Sequence, residues 1–305
     1  MMSFEEFKEI LREEVASNVD ADVTIVTVPK NNGVKLDALS VKTKASNIAP
    51  IIYLDSYYKD YNNGRSIESI VDSITTICNR ESGINSELIN QFTDYSIMKD
   101  YIQTKLINRE RNAELLKSVP YIEFLDLAMV CMVNIALGNE NGEGTVLITK
   151  QHMKAWGVSE EEIFNVAKSN SIKNNPAILK SMNDVIKDMY ISNILEEQEE
   201  DELCAMIDSA DSFLYVLTNT SKHNGAVAIT YENVLKEFAN EKNCNLYILP
   251  SSIHEVIIVP EEDDMNAAQL KEMVQSVNQT ELQEMEILSD NVYYYDREMN
   301  KITIA

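Results

Sequence analysis

Apolar residues Phe4, Phe7, Ile10, Leu11 and Val15 recur at helical spacing and predict an amphipathic helix at the start of the chain. No basic leader followed by an apolar core is present there, so the segment reads as a helix and not as a signal peptide. Two β-branched runs, 23–28 and 34–43, flank Pro29-Lys30-Asn31-Asn32-Gly33 and predict a β-hairpin. From Ile51 to Tyr61 the residues Leu54, Tyr57, Tyr58 and Tyr61 repeat at helical offsets, with Asn62-Asn63-Gly64 as the stop. Ser66 then caps a helix whose stripe is Ile67, Ile70, Val71, Ile74 and Ile77.

A strand is expected around 101–107, within an otherwise mixed stretch from Asn85 to Ser118. The run 124–137 is almost wholly apolar, and 145–148 follows after a loop, which predicts two adjacent strands, the first buried on both faces. Thr149 opens a short helix that stops at Gly157, and Ser159 with Glu162 forms a capping box for another helix through about Lys168. A further helix is expected from Pro176, carrying Ile178, Met182, Val185, Ile186 and Met189. Beyond it the pattern predicts strands at 213–218, 246–249 and 253–259, helices at 231–240 and 267–277, and a closing hairpin of 291–295 with 302–304. Strict β-α-β alternation is missing. The expected class is therefore α+β, with mixed or antiparallel sheets and helices packed on them in strand-strand-helix units.

Length and charge sharpen this picture. The 305 residues are enough for one large domain or two ordinary ones. Residues 196–202 read EEQEEDE, and this run is the candidate boundary between an N-terminal α+β region, 1–195, and an acidic C-terminal α+β region, 196–305, the alternative being one continuous domain. The net charge of −24 is concentrated there: residues 196–305 hold 23 acids against 6 bases, or −17, and residues 1–195 hold −7. Such a surface repels nucleic acid and anionic membranes, so neither is expected as a direct partner. The longest apolar runs fall far short of the roughly 18 residues a spanning helix needs. Cys78, Cys131, Cys204 and Cys244 lie singly, without metal-ligand spacing, as reduced thiols do in a cytoplasmic protein.

Candidate chemistry is sparse. Ser252, His254 and Glu255 lie in Pro250-Ser251-Ser252-Ile253-His254-Glu255 and suggest a hydrolase. In a strand Ser252 and His254 would share one face. The GxSxG elbow is absent, however, and the bland reading is a hydrogen-bonded turn entering a strand. No zinc signature, dinucleotide loop or phosphate loop occurs, and no cofactor is expected. Tyr57, Tyr58, Tyr61, Tyr293 and Tyr295 are candidates for a binding surface, because tyrosine offers large amphipathic area. Glu261, Glu262, Asp263 and Asp264, just before a helix, are a second candidate; their sign also suits the helix dipole.

The segments YVLTN at 215–219, GAVAITYENVL at 225–235, LYILPSSIHEVIIVP at 246–260 and ILSDNVYYYD at 287–296 carry a family resemblance, as do YLDSYYKDYNNG, FLDLAMV and ITKQHMKAWGVSEEEIFNVAKSN earlier in the chain. Together they resemble an uncharacterised domain-of-unknown-function family marked by the ILPSSxHEV segment. Its members are acidic proteins of about this length from gut Gram-positive anaerobes, often encoded near mobile elements. The resemblance implies a bacterial cytosolic α+β protein and brings no catalytic residues with it. Three functions are expected to compete: a non-catalytic protein-interaction or regulatory protein, an acidic nucleic-acid mimic of the anti-restriction or anti-CRISPR type, and a hydrolase using Ser252 and His254.

Overall fold

In the computed structural model Ser3 caps helix α1 (Phe4–Asn18). Its hydroxyl accepts from the Glu6 N–H, and the Glu6 carboxylate accepts from the Ser3 N–H, so two otherwise unpaired donors are satisfied. The structure describes residues 2–43, 51–80, 91–136, 143–191, 213–263 and 265–305. The acidic run 196–202, Cys204 and Asp264 lie outside them.

The chain divides into two compact units, Met1–Phe92 with Ile135–Gly144, and Thr93–Asn134 with Thr145–Ala305. In the first, α1 buries Phe7, Leu11 and Val15. Strands β1 (Ala21–Pro29) and β2 (Lys35–Thr43) form the expected antiparallel hairpin, closed by a turn in which Asn32 and Gly33 take positive φ. Residues 51–53 depart from the helical expectation. They form strand β3 (Ile51–Tyr53) on β2, and the helix, α2 (Asp55–Asn62), starts only after Leu54. Pairing to an available strand outweighs weak local propensity here. Helix α3 (Ile67–Arg80) buries Ile70, Val71 and Ile74 in the same core as Phe7, Leu39 and Leu54. Lys8 is also buried, and its Nζ lies 2.5 Å from Asp37 and 2.8 Å from Glu5.

The second unit holds two sheets. Strands β4 (Ile102–Asn108), β5 (Tyr121–Phe124) and β6 (Leu127–Ala136) are ordered β4-β6-β5, and β7 (Glu143–Leu147) also pairs with β6. Leu125 takes φ of 55° and turns the chain between β5 and β6. The run that read as one buried strand therefore begins one strand early, with Phe124 ending β5. Helix α4 (Lys150–Trp156) is capped by Thr149 and ends at Gly157 in the left-handed conformation that glycine adopts freely. Helix α5 (Glu160–Asn174) starts at Ser159 and runs a turn and a half beyond the expected end.

Strand β8 (Ala177–Ser181) and helix α6 (Met182–Ile191) replace the helix expected from Pro176. The first five residues are drawn into pairing with β9 (Tyr215–Asn219), Leu179 opposite Leu217. Helix α7 (Val234–Lys242), β10 (Leu246–Leu249), β11 (Val256–Pro260), helix α8 (Ala267–Thr280), β12 (Tyr293–Asp296) and β13 (Lys301–Ile304) complete the unit. The six-stranded sheet is ordered β13-β12-β10-β11-β9-β8. Strands on either side of the acidic run are thus neighbours in one sheet, and the division between units falls at Phe92/Thr93 rather than near Glu196. With its three mostly antiparallel sheets and flanking helices, the protein is α+β.

Candidate functional site

Pro250 to Glu255 joins β10 to β11 as a tethered turn. Strand geometry begins only at Val256, so Ser252 and His254 do not share a strand face. The cause is backbone pairing to other segments: Ile253 N–H donates to the Glu286 carbonyl, Leu288 N–H to Ser251 and Ser289 N–H to Pro250, while the Ile253 carbonyl accepts from Ala226 N–H. Ser252 is buried, and its Oγ accepts from the His254 N–H at 3.0 Å. The His254 Nδ1 accepts from the Asn224 N–H at 3.3 Å, which leaves the ring proton on Nε2. The His223 ring stands edge-on to it at 5.8 Å.

Burial pushes the His254 pKa down, helped by His223 and Lys105 and opposed by Glu286. Burial pushes the Glu255 carboxyl up, with the nearby Ser252 hydroxyl opposing and Glu286 adding. The structure brings Ser252, His254 and Glu255 together, but the serine oxygen accepts from the His254 backbone N–H, and no hydrogen bond joins it to the imidazole. A nucleophile needs its base within hydrogen-bond reach of the hydroxyl, and here the imidazole Nδ1 accepts from the Asn224 N–H instead. Among the described residues, no three of His, Cys, Asp and Glu are placed to hold a metal ion.

Two features that stabilise this loop escaped the sequence reading. Gly225 passes so close to the turn that a Cβ there would lie 2.5 Å from the His254 carbonyl oxygen and 2.8 Å from the Asn219 nitrogen. Thr218 Oγ1 donates to the same His254 carbonyl at 2.8 Å. The second feature is Asp126. Its Oδ1 accepts from the Tyr293 hydroxyl at 2.6 Å, and its Oδ2 accepts from Ser289 Oγ at 2.6 Å and Asn291 Nδ2 at 3.0 Å. Asn108 Nδ2 reaches the Leu288 carbonyl, Asn278 Nδ2 reaches Ser289 and Asp290, and Arg111 pairs with Asp290 at 2.8 Å. The sequence signal was present: Asp126 is the single acid in the apolar run 124–136.

The tyrosines divide. Tyr293 is fully buried and Tyr295 is 3% exposed, which corrects the expectation that they present a binding surface. Their face of β12 is the core face, and the phenol of Tyr293 is held protonated by burial and by Asp126. Tyr294, on the other face, is half-buried; burial, with the Glu261 hydrogen bond, pushes it up to about 12. Tyr57, Tyr58 and Tyr61 are half-buried against the core of the first unit, Tyr58 and Tyr61 within ring contact of Phe7. They offer edges to solvent, not a free aromatic patch.

Of the predicted acids, Glu261, Glu262 and Asp263 line an open groove of about 920 Å³ at one end of the six-stranded sheet, together with Asp296 and Glu298. Arg297 is the one base of that lining, and its guanidinium is engaged by Asn243. Glu261 is a fixed wall, because its Oε2 accepts from Asn245 Nδ2 at 2.7 Å and from the Tyr294 hydroxyl at 2.9 Å. Glu262 and Asp263 are exposed.

Fold and site define an α+β protein of antiparallel sheets with a polar cluster around Asp126 and a groove lined mostly by acids. The chain belongs to DUF5688, a family of unknown function whose model matches residues 4–297. No curated protein and no solved structure matches it. No helix among the described residues is long and apolar enough to cross a membrane.

Proposed function

We propose that this is a non-catalytic, cytosolic interaction protein that receives a basic partner protein at the acidic groove of its second unit. The observation that carries the reading is the groove itself: Glu261, Glu262, Asp263, Asp296 and Glu298 line it against the single base Arg297. Carboxylates of one sign in a shared concavity raise the local attraction for a cationic surface and steer its approach. The nucleic-acid-mimic alternative draws on the same carboxylates. It is less well supported, because Glu262 and Asp263 sit in the connection between β11 and α8 and not in a row along a rigid element. The hydrolase alternative has no support from the Ser252 geometry.

The test is affinity capture from the native host with the full chain and with a Glu262→Lys, Asp263→Lys variant, washed with and without about 0.5 M salt. A basic protein retained by the wild type, released by salt and missed by the variant is expected. Equal capture by both chains removes the groove from the reading, and capture of nothing removes the reading. A captured nucleic-acid enzyme whose binding is displaced by duplex DNA turns the result toward mimicry.

A further inference from the structure

Asn224 ties two distant segments together. Its N–H donates to His254 Nδ1 at 3.3 Å, which links the loop 221–224 after β9 to the 250–255 turn. The two sides of that bond are held with different firmness. On the His254 side the backbone is pinned. Its N–H donates to Ser252 Oγ at 3.0 Å, its carbonyl accepts from Thr218 Oγ1 at 2.8 Å, and the Ile253 carbonyl accepts from the Ala226 N–H.

On the loop side Lys222 and Asn224 take positive φ, 55° and 50°, to either side of the exposed His223. Asn visits that region readily, whereas Lys enters it at a cost. Bonds within the loop are short in range: Ser221 Oγ accepts from the His223 N–H at 3.3 Å, and Asn219 Nδ2 donates to the His223 carbonyl at 3.1 Å. Asn224 Nδ2 also reaches Met132 Sδ at 3.8 Å, and a thioether is a weak acceptor.

The bond to His254 requires a neutral imidazole. Nδ1 accepts through its lone pair, and a proton from solvent placed there turns the acceptor into a donor that faces an N–H. Rotation of the ring gives no relief, because both nitrogens of an imidazolium are donors. Several elements bring charge to the ring. Glu286, from the turn 284–286, favours the charged form; burial opposes it most strongly, followed by His223 and by Lys105 of β4. Glu255, next in the chain, is itself pushed toward its neutral form by burial. The ring therefore stays neutral at neutral pH and takes its proton on the acid side.

We propose that His254 is an acid-released latch: protonation of Nδ1 breaks its bond to Asn224 and frees residues 221–224 from the 250–255 turn, which itself stays in place. Histidine protonation is a means by which folds couple a local hydrogen bond to pH. The latch lies apart from the acidic groove, and the interaction reading stands or falls without it.

The test is amide hydrogen exchange of the full chain between about pH 7.5 and 5, corrected for the intrinsic effect of pH, alongside nitrogen NMR of its histidine rings. The Asn224 N–H is expected to lose about tenfold or more of its protection on acidification. The Ile253 N–H, which donates to the Glu286 carbonyl, should keep its own. The midpoint should coincide with protonation of the His254 ring, and the loss should be missing from His254→Asn, whose side chain does not titrate. Equal protection of Asn224 across the range, a loss that spreads to Ile253, or a loss that survives in His254→Asn overturns the proposal. So does a wild-type midpoint that follows the His223 ring instead of His254, a result that needs no variant.

Discussion

The hydroxyl of Tyr293 donates to Oδ1 of Asp126 over 2.6 Å, joining the turn between β5 and β6 to the core face of the six-stranded sheet. The same carboxylate also accepts from Ser289 and Asn291, so it takes three side-chain hydrogen bonds. A buried polar cluster of this kind fixes the orientation of the elements that meet at it.

Tyr293→Phe keeps the packed ring and removes one charge-assisted hydrogen bond. The expected loss of stability is about 1–2 kcal/mol, and Asp126→Ala, which strands three donors, should cost about 2–4 kcal/mol. Urea unfolding of both single variants and the double variant measures this. A double variant no worse than Asp126→Ala alone is expected, because the tyrosine then has no acceptor left to lose.

Gly225→Ala should be among the most damaging single-methyl additions in the chain. The added Cβ meets main-chain atoms of His254 and Asn219, which cannot rotate away as a side chain could. A loss of about 2–4 kcal/mol is expected, read as a lowered unfolding midpoint, with perturbed amide signals in the 250–255 turn. An unchanged midpoint would show that the close approach is not rigid.

His254 makes stability depend on pH. The fold holds its imidazole neutral, with a pKa below the ordinary 6.5, so the unfolded chain takes up the proton first. Its contribution is therefore fully present above about pH 6.5 and is lost as pH falls through the folded value. Comparison of wild type with His254→Asn between about pH 7.5 and 5.5 should show the wild type losing more stability on acidification. His152, also lowered by burial, leaves a residual slope in the variant.

Lys8→Met tests the buried pair of the first unit. The Asp37 carboxyl is held below its usual range by Lys8 first and by Thr27 second. Removing the ammonium leaves a mostly buried carboxylate with one hydroxyl donor, and a loss of about 1–3 kcal/mol is expected at neutral pH. A lowered carboxyl pKa contributes stability above the unfolded value and loses it as pH falls through the folded one. The gap between wild type and variant should accordingly narrow below about pH 4 in acid titrations of unfolding.

Local pattern carried much of the fold. The capped helix α1, the β1–β2 hairpin, α3, α4 with its Gly157 stop and the β12–β13 hairpin all follow from periodicity and turn residues. The misread segments are alike in kind. Residues 51–53 and 177–181 look helical in isolation and became strands because β2 and β9 offered them partners. The 252–255 turn looked like strand and was bent by pairing to residues 286–289.

The candidate site shows the same limit. The acids before α8 were legible as a cluster, and the groove that gathers them with Asp296 and Glu298 was not, since those residues are more than thirty positions apart. Tyr293 and Tyr295 were legible as one face of a strand, but alternation does not say which face is inside.

By itself, then, the sequence determined the α+β class, the spacing of most elements and the concentration of negative charge toward the C-terminal region, because these depend on neighbours along the chain. Tertiary structure alone decided that Ser252 bonds the His254 backbone and not its ring, that Asp126 anchors Tyr293, and that residues 177–181 pair with β9. Each of those outcomes depends on which distant segment supplies the hydrogen-bond partner or the covering face, and sequence separation carries no record of that choice.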